Sequence, residues 1–129
     1  MVRAIVILAC NDVEAMCAFY RRVLGWRQVV DEEVFKQLRS DFGMDLGLYS
    51  RAGYASNIGG RTPQALAASA LSSTELYFIV EDLTAACALA NQAGAELLAE
   101  ATAKPWGDSV TYYRDPEGNV LALAQNSED

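Results

Sequence analysis

The segment Ile7-Leu8-Ala9-Cys10-Asn11-Asp12-Val13-Glu14-Ala15-Met16-Cys17-Ala18 returns seventy residues later as Tyr77-Phe78-Ile79-Val80-Glu81-Asp82-Leu83-Thr84-Ala85-Ala86-Cys87-Ala88. The two copies align without a gap, and Asp12 aligns with Asp82. In each copy an apolar run leads to an acidic residue, then to an amphipathic helical pattern that stops near a glycine. The repeat predicts two equivalent βα modules. Packed together, such modules are expected to enclose a cleft, and function is expected there.

Apolar and alternating stretches predict eight strands, four in each half of the chain. They fall at residues 4–9, 28–31, 34–38, 45–49, 75–80, 95–100, 109–114 and 119–125. Helices are expected after Asp12 and Asp82, because an aspartate can accept hydrogen bonds from the free amides of a first turn. Gly25 and Gly94 are expected to end these helices. The stretch Asp115-Pro116-Glu117-Gly118 predicts a tight hairpin, since proline fixes φ and glycine supplies the left-handed conformation.

Composition limits the classes of partner. The chain of 129 residues carries 10 basic and 17 acidic side chains, for a net charge of −7. This charge disfavours nucleic acid and anionic lipid and would attract cationic ligands, although solubility alone is the simpler explanation. No stretch is apolar over the length that a membrane span needs. The three cysteines sit in apolar patterns, which favours reduced, buried thiols in a cytoplasmic protein.

The repeat also predicts the domain organisation. Residues 1–129 are expected to form one domain, with the first module at about 1–50 and the second at about 74–126. Residues 51–73 break the pattern with glycines, a proline and a run of small residues. This segment is either a plain linker or a lid with one helical turn over the mouth of the cleft, since long loops in compact domains are often functional.

Several motifs along the chain together resemble a known superfamily. They are Asp12 with Phe19-Tyr20, then Val23-Leu24-Gly25-Trp26, Asp82, Trp106-Gly107, and Asp115-Pro116-Glu117-Gly118-Asn119 before an apolar strand. In this order and spacing they resemble the vicinal oxygen chelate superfamily, which includes glyoxalase I, extradiol dioxygenases, and fosfomycin- and bleomycin-resistance proteins. The resemblance covers almost the whole chain. It implies an α+β fold of two βαβββ modules, with curved mixed sheets around a cleft, usually assembled as a homodimer.

The absence of histidine sets this chain apart from the catalytic members of that superfamily. Those members hold a divalent metal through His and Glu side chains, one from each of four strands. The corresponding positions here are Ile5, Gly47 or its neighbour, Glu75 and Ala122. Three of the four cannot bind a metal, and one carboxylate with water would hold Mg²⁺ or Mn²⁺ only weakly. We therefore expect no metal and no cofactor.

Alternation along the strands predicts which side chains point into the cleft. The expected ligand-binding residues are Phe35, Asp45, Tyr49, Glu75, Tyr77, Trp106 and Tyr112. Such aromatic and acidic side chains would offer flat contact area and attract a cationic group. Core packing is the competing role for each aromatic residue. Three roles stay open for Glu75: pairing with a cationic ligand, acting as a general base, or standing in water at a strand edge.

The sequence thus favours a metal-independent small-molecule binding protein, most like the bleomycin-resistance branch. Its ligand would be a small organic molecule, such as a cationic or aromatic antibiotic, bound by a homodimer without nucleic acid or membrane partners. The alternative is a glyoxalase-like lyase or isomerase with a degenerate metal site and Glu75 as general base. A third possibility is a module whose cleft is filled by side chains. Enzyme activity is therefore left open, with binding favoured.

Overall fold

The computed structural model describes residues 2–127, which divide into two compact units with the boundary between Ala65 and Leu66. In the first unit the elements are β1 (Ala4–Cys10), α1 (Val13–Leu24), β2 (Arg27–Asp31), β3 (Phe35–Arg39), β4 (Met44–Ser50) and α2 (Arg51–Asn57). In the second they are β5 (Glu75–Ile79), α3 (Leu83–Gln92), β6 (Glu96–Ala103), β7 (Asp108–Arg114) and β8 (Val120–Asn126).

The two sheets have the same topology, as the repeat predicts. Their strand orders are β1-β4-β3-β2 and β5-β8-β7-β6. In each sheet the first and last strands of the module pair in parallel, and the other neighbours are antiparallel. The α+β fold of two βαβββ modules is confirmed.

Matching aspartates begin the first helix of each module. Asp12 accepts a hydrogen bond from the Ala15 amide at 2.9 Å, and Asp82 accepts one from the Ala85 amide at 3.0 Å. Each bond satisfies an amide that the first helical turn leaves without a partner. Gly25 ends α1 in the left-handed conformation, with φ of 69°. The predicted caps Asp12, Asp82 and Gly25 are therefore confirmed, whereas the C-cap of α3 is Ala93, one residue before the predicted Gly94.

The apolar face of α1 packs on its own sheet, mainly on β3 and β4. Its buried residues are Val13, Met16, Cys17, Phe19, Tyr20 and Val23. The three cysteines are thiols without disulfide bonds; Cys10 and Cys17 are buried, whereas Cys87 is half-buried on α3. The expectation of buried thiols is thus wrong for Cys87. Within residues 2–127, no helix is long and apolar enough to cross a membrane.

The predicted hairpin lies between β7 and β8. The Gly118 amide donates to the Asp115 carbonyl at 3.2 Å, and Gly118 has φ of 99°. The buried Asp115 carboxylate accepts bonds from the Glu117 amide and from both the amide and side chain of Asn119. Residues 66–72 lie against this turn, since the Ser72 amide donates to the Gly118 carbonyl at 2.8 Å.

Two parts of the structure differ from the predicted elements. Residues 51–57 form the seven-residue helix α2, where the sequence predicts a linker or a lid with one turn. Ser50 caps this helix by accepting a hydrogen bond from the Gly53 amide at 3.1 Å. β6 extends to Ala103, three residues beyond its predicted end, and contains two register shifts against β7. Every residue of β6 is exposed, so this strand has no alternation of buried and exposed side chains from which its end could be predicted.

Candidate functional site

One face of the second sheet carries Tyr77 of β5 and Tyr112 of β7, and we refer to it as the tyrosine face. Both residues lie in register with Ala122 of the intervening strand β8. They pack against a buried apolar cluster of Val110, Ala122 and Ala124. The β8 residues of this cluster have small side chains, and both tyrosines are half-buried.

A tight turn brings polar and aromatic groups to the edge of this face. At the β6–β7 connection the Lys104 amide donates to the Asp108 carbonyl at 2.7 Å, and the Gly107 amide donates to the Lys104 carbonyl at 3.0 Å. Gly107 has φ of 101°, a conformation that favours glycine. The turn exposes the Trp106 side chain, which is 59% accessible, and buries that of Asp108, which is 6% accessible.

Tyr77 joins these groups into a hydrogen-bond network. Its phenol donates to Asp108 Oδ2 at 2.5 Å and accepts a bond from the Trp106 indole N–H at 3.0 Å. Burial and the Asp108 carboxylate raise the pKa of the Tyr77 phenol above its ordinary value, and the Trp106 bond offsets part of this rise. The network thus fixes a neutral phenol beside a buried carboxylate.

The Lys104 ammonium lies over the Tyr112 ring, with Nζ 5.2 Å from the ring centroid. This distance is within the range of a cation–π interaction. The tyrosine face therefore already holds one cation against an aromatic ring.

Glu75 begins β5, two residues before Tyr77 on the same face of the strand. Its side chain is exposed to solvent. Within residues 2–127 it makes no hydrogen bond or ion pair, so its carboxylate is available to a ligand. The structure brings together Tyr77, Trp106 and Tyr112 of the predicted site, with Glu75 on the same face.

The remaining predicted site residues lie in the first unit. Phe35 and Tyr49 are cross-strand neighbours with ring centroids 5.1 Å apart. Tyr49 also contacts Tyr54 of α2 edge-to-face at 5.9 Å. Through these contacts Tyr49 packs α2 against β4. Core packing was the role that the sequence analysis gave as the alternative to ligand binding.

Asp45 is the third predicted residue of this unit, and its side chain is buried. Asp45 Oδ2 accepts hydrogen bonds from Gln37 Nε2 at 2.7 Å and from Arg39 Nε at 3.0 Å, and Arg3 lies 3.9 Å away. Burial alone would raise the pKa of Asp45, but these hydrogen bonds and charges outweigh it and hold the pKa below its ordinary value. Asp45 Oδ1 is buried and has no hydrogen-bond partner among residues 2–127.

The residues at the superfamily's metal positions do not fit a metal ion. Ile5, Gly47 and Ala122 have no donor atoms on their side chains, and Glu75 is the one carboxylate of the four. A Cβ placed on Gly47 would lie 2.6 Å from Ile7 Cδ1 and 2.8 Å from Phe35 Cε1, so apolar side chains fill that position. Within residues 2–127, no three His, Cys, Asp or Glu side chains come together as a metal-binding group.

The sequence did not single out Asp108, the central acceptor of the network. The predicted strand began at Ser109, so Asp108 was left outside it. Extending the alternation of Val110 and Tyr112 back by one step would have placed Asp108 on the same face. Strand alternation therefore predicts the position of Asp108, but the predicted strand started one residue too late to include it.

These features define a member of the vicinal oxygen chelate superfamily whose metal positions carry no metal-binding set. The family model of the glyoxalase-like domain matches residues 5–124, and the chain belongs to that family. A comparison with curated proteins found no match.

Several solved structures resemble this fold. A glyoxalase-related enzyme from Fulvimarina pelagi is 25% identical, with a TM-score of 0.80 over 95% of this chain and 86% of its own. A glyoxalase/bleomycin resistance protein/dioxygenase family enzyme from Burkholderia phytofirmans PsJN is 21% identical, with a TM-score of 0.77 over 95% and 96%. A glyoxalase/bleomycin resistance protein/dioxygenase from Nocardioides is 19% identical, with a TM-score of 0.76 over 99% and 84%.

Proposed function

We propose that this protein binds a small organic molecule without a metal ion, in the manner of the bleomycin-resistance branch. The ligand combines an aromatic ring with a cationic group and docks on the tyrosine face. The observation that carries the proposal is the network of Tyr77, Asp108 and Trp106 beside the Lys104–Tyr112 pair. It offers exposed aromatic surface next to a buried carboxylate, a combination suited to such a ligand.

The distribution of charge supports a cationic ligand. Residues 66–129 contain ten acidic and two basic side chains, whereas residues 1–65 contain seven acidic and eight basic ones. The second unit, which carries the tyrosine face, therefore has a net charge of −8, whereas that of the first unit is +1. A potential of this sign raises the local concentration of cations and speeds their association.

The contact between Lys104 and Tyr112 suggests how the ligand binds. The cation of the ligand takes the place of the Lys104 ammonium over the Tyr112 ring, and its aromatic group stacks on Trp106. The exposed carboxylate of Glu75 pairs with a second cationic group where the ligand has one. We also propose that the protein acts as a homodimer, as the superfamily resemblance implies.

Calorimetric titration with a bleomycin-type glycopeptide and with planar aromatic cations tests this function. We expect saturable heat, weaker binding in Tyr77→Phe and Glu75→Gln, and unchanged binding in Glu96→Gln, which removes an exposed carboxylate of β6. Lys104→Gln frees the Tyr112 ring and is expected to tighten binding. Absence of heat across both ligand classes contradicts the proposal, and unchanged affinity in Glu75→Gln removes that residue from it.

A lyase or isomerase that uses Glu75 as general base is the second candidate. Glu75 is exposed on the tyrosine face, and the relative from Fulvimarina pelagi is described as an enzyme. Removal of a proton next to a carbonyl would transfer deuterium from D₂O into an α-hydroxyketone. Exchange that Glu75→Gln abolishes supports this candidate. Equal exchange in both proteins rules Glu75 out as the base.

A further inference from the structure

Two adjoining crevices of the first unit lie at the end of α1. Their volumes are about 380 and 490 Å³, and both are lined by Gly25 and Trp26. We refer to them together as the Trp26 crevice. The other residues that line it are Ala18, Arg21, Arg22, Leu24, Arg27, Arg39, Ser40 and Asp41.

Local structure explains why an aromatic ring is presented here. The Gly25 amide donates to the Arg21 carbonyl at 2.9 Å, and the left-handed conformation of Gly25 turns the chain out of α1. Trp26 then precedes β2 and contacts Phe42 edge-to-face, with centroids 5.6 Å apart. Phe42 is 64% exposed, and Trp26 is half-buried. Trp26 thus lines both crevices.

The charge of the Trp26 crevice is opposite to that of the chain. Four arginines line it and Asp41 is its one carboxylate, although the chain as a whole has a net charge of −7. Arg39 is engaged with Asp45, and Arg21 donates to Gln28 Oε1 at 3.3 Å.

The two other guanidinium groups of the crevice, those of Arg22 and Arg27, are exposed and have no hydrogen bond or ion pair within residues 2–127. Arginines in the last turn of a helix stabilise its carbonyl end, which accounts for Arg21 and Arg22 as charges. A charged residue on an edge strand discourages pairing with other strands, which accounts for Arg27. Neither role accounts for the crevice that these side chains line together with Trp26.

We infer that the Trp26 crevice binds a small anion that carries a planar ring, such as a nucleotide or an aromatic phosphate. Arg22 and Arg27 donate hydrogen bonds to its phosphate oxygens, and the ring packs on Trp26. Guanidinium groups suit this role because their planar array of N–H donors matches the oxygens of a phosphate. This anionic ligand differs in charge from the cationic ligand of the tyrosine face, so the two sites can be tested separately.

The test uses fluorescence of Trp26 in the full chain. Trp106→Phe leaves Trp26 as the sole tryptophan, since the chain has two. We expect ATP to quench this fluorescence saturably and inorganic phosphate to bind at least tenfold more weakly. The affinity for ATP is expected to fall at least tenfold in Arg22→Gln/Arg27→Gln and to fall as salt is added.

Arg61→Gln is the matched control, because Arg61 is an exposed arginine of the same unit that does not line the crevice. It is expected to bind ATP as the parent does, and far-ultraviolet circular dichroism checks that all variants fold. No saturable quenching by ATP overturns the inference, as does an equal loss of affinity in Arg61→Gln. Equal affinity for ATP and phosphate would show that the ring of the ligand does not contact Trp26. Tighter binding of a single-stranded oligonucleotide than of ATP would show that the ligand of the crevice is a nucleic acid and would overturn the proposed small anion.

Discussion

The Tyr77 phenol and the Asp108 carboxylate meet across β8, with the phenol donating to Oδ2 at 2.5 Å. The contact links the first strand of the second module to its third, although the two residues are 31 positions apart in sequence. It also ties the Trp106 turn to the sheet, because the indole N–H donates to the same phenol. The geometry of the tyrosine face therefore depends on this pair.

Asp108→Asn is expected to lower the pKa of Tyr77. Burial raises that pKa most and persists in the variant, but the carboxylate that adds to the rise is lost. The phenol then ionises at a lower pH than in the parent and still above its ordinary value. Ultraviolet titration of tyrosinate measures this, with Tyr77→Phe spectra subtracted to isolate one of the six tyrosines.

The same pair gives the parent protein a dependence of stability on alkaline pH. Because the folded-state pKa of Tyr77 is raised, its contribution to stability is complete below the ordinary phenol pKa and is lost as pH rises through the folded value. Asp108→Asn should make this alkaline loss shallower. An identical Tyr77 titration in parent and variant would show that the carboxylate does not act on the phenol.

The sequence predicted the faces of the second sheet well, because alternation along short buried strands is a local property. Tyr77 and Tyr112 lie on one face as expected, and Leu76 and Phe78 are buried on the other. The partner of Tyr77 was not predicted, since hydrogen bonds between strands depend on register and on the exact turn. Strand alternation thus predicted which side chains share a face but not the hydrogen bonds that they make.

Asp45→Asn is expected to destabilise the first unit by about 2 kcal/mol at neutral pH, because buried hydrogen bonds to a charged group are lost. The folded-state pKa of Asp45 lies below its ordinary value of 3.8. Its contribution is therefore present above that value and disappears as pH falls through the folded pKa. Chemical denaturation at a series of acid pH values should show the parent and variant converging. The exposed neighbour Asp41→Asn is the control, and a constant gap at every pH would contradict the prediction.

Gly118→Val is expected to lower the free energy of unfolding by more than about 1 kcal/mol, because φ of 99° strains a β-branched residue. A Cβ there would also lie 2.7 Å from Leu66 Cδ1 and 3.0 Å from the Ala70 carbonyl oxygen. Gly94→Val separates the two causes, since Gly94 has φ of 89° and no atom within 4 Å of its Cβ position. Thermal unfolding should rank Gly118→Val below Gly94→Val. Equal melting temperatures would mean that the contacts with residues 66–70 cost nothing.

The first unit shows where sequence patterns lose information. Tyr49 lies on the same face of β4 as Gly47, as strand alternation predicts, and its ring packs on Tyr54 of α2. The helix was not predicted, because the composition of residues 51–60 is rich in glycine. Gly53 lies within that helix, where glycine is intrinsically unfavourable. A Cβ at Gly53 would lie 2.8 Å from Tyr49 Cε1. The packing of Tyr49 therefore requires a glycine at this position, although glycine has a low helix propensity. Composition alone could not reveal this close approach.

Gly47→Ala tests directly whether the superfamily's metal position on β4 is closed. The added methyl would meet Ile7 Cδ1 at 2.6 Å and Phe35 Cε1 at 2.8 Å, and overpacking of this kind costs about 1–3 kcal/mol. Ile7→Val removes the nearer atom, so the double variant should recover part of the loss in a double-mutant cycle of unfolding free energies. Recovery is expected to be incomplete because Phe35 remains. An unchanged free energy of unfolding in Gly47→Ala would show that the space over Gly47 is open enough for a side chain, and a metal ligand at that position would then be sterically acceptable.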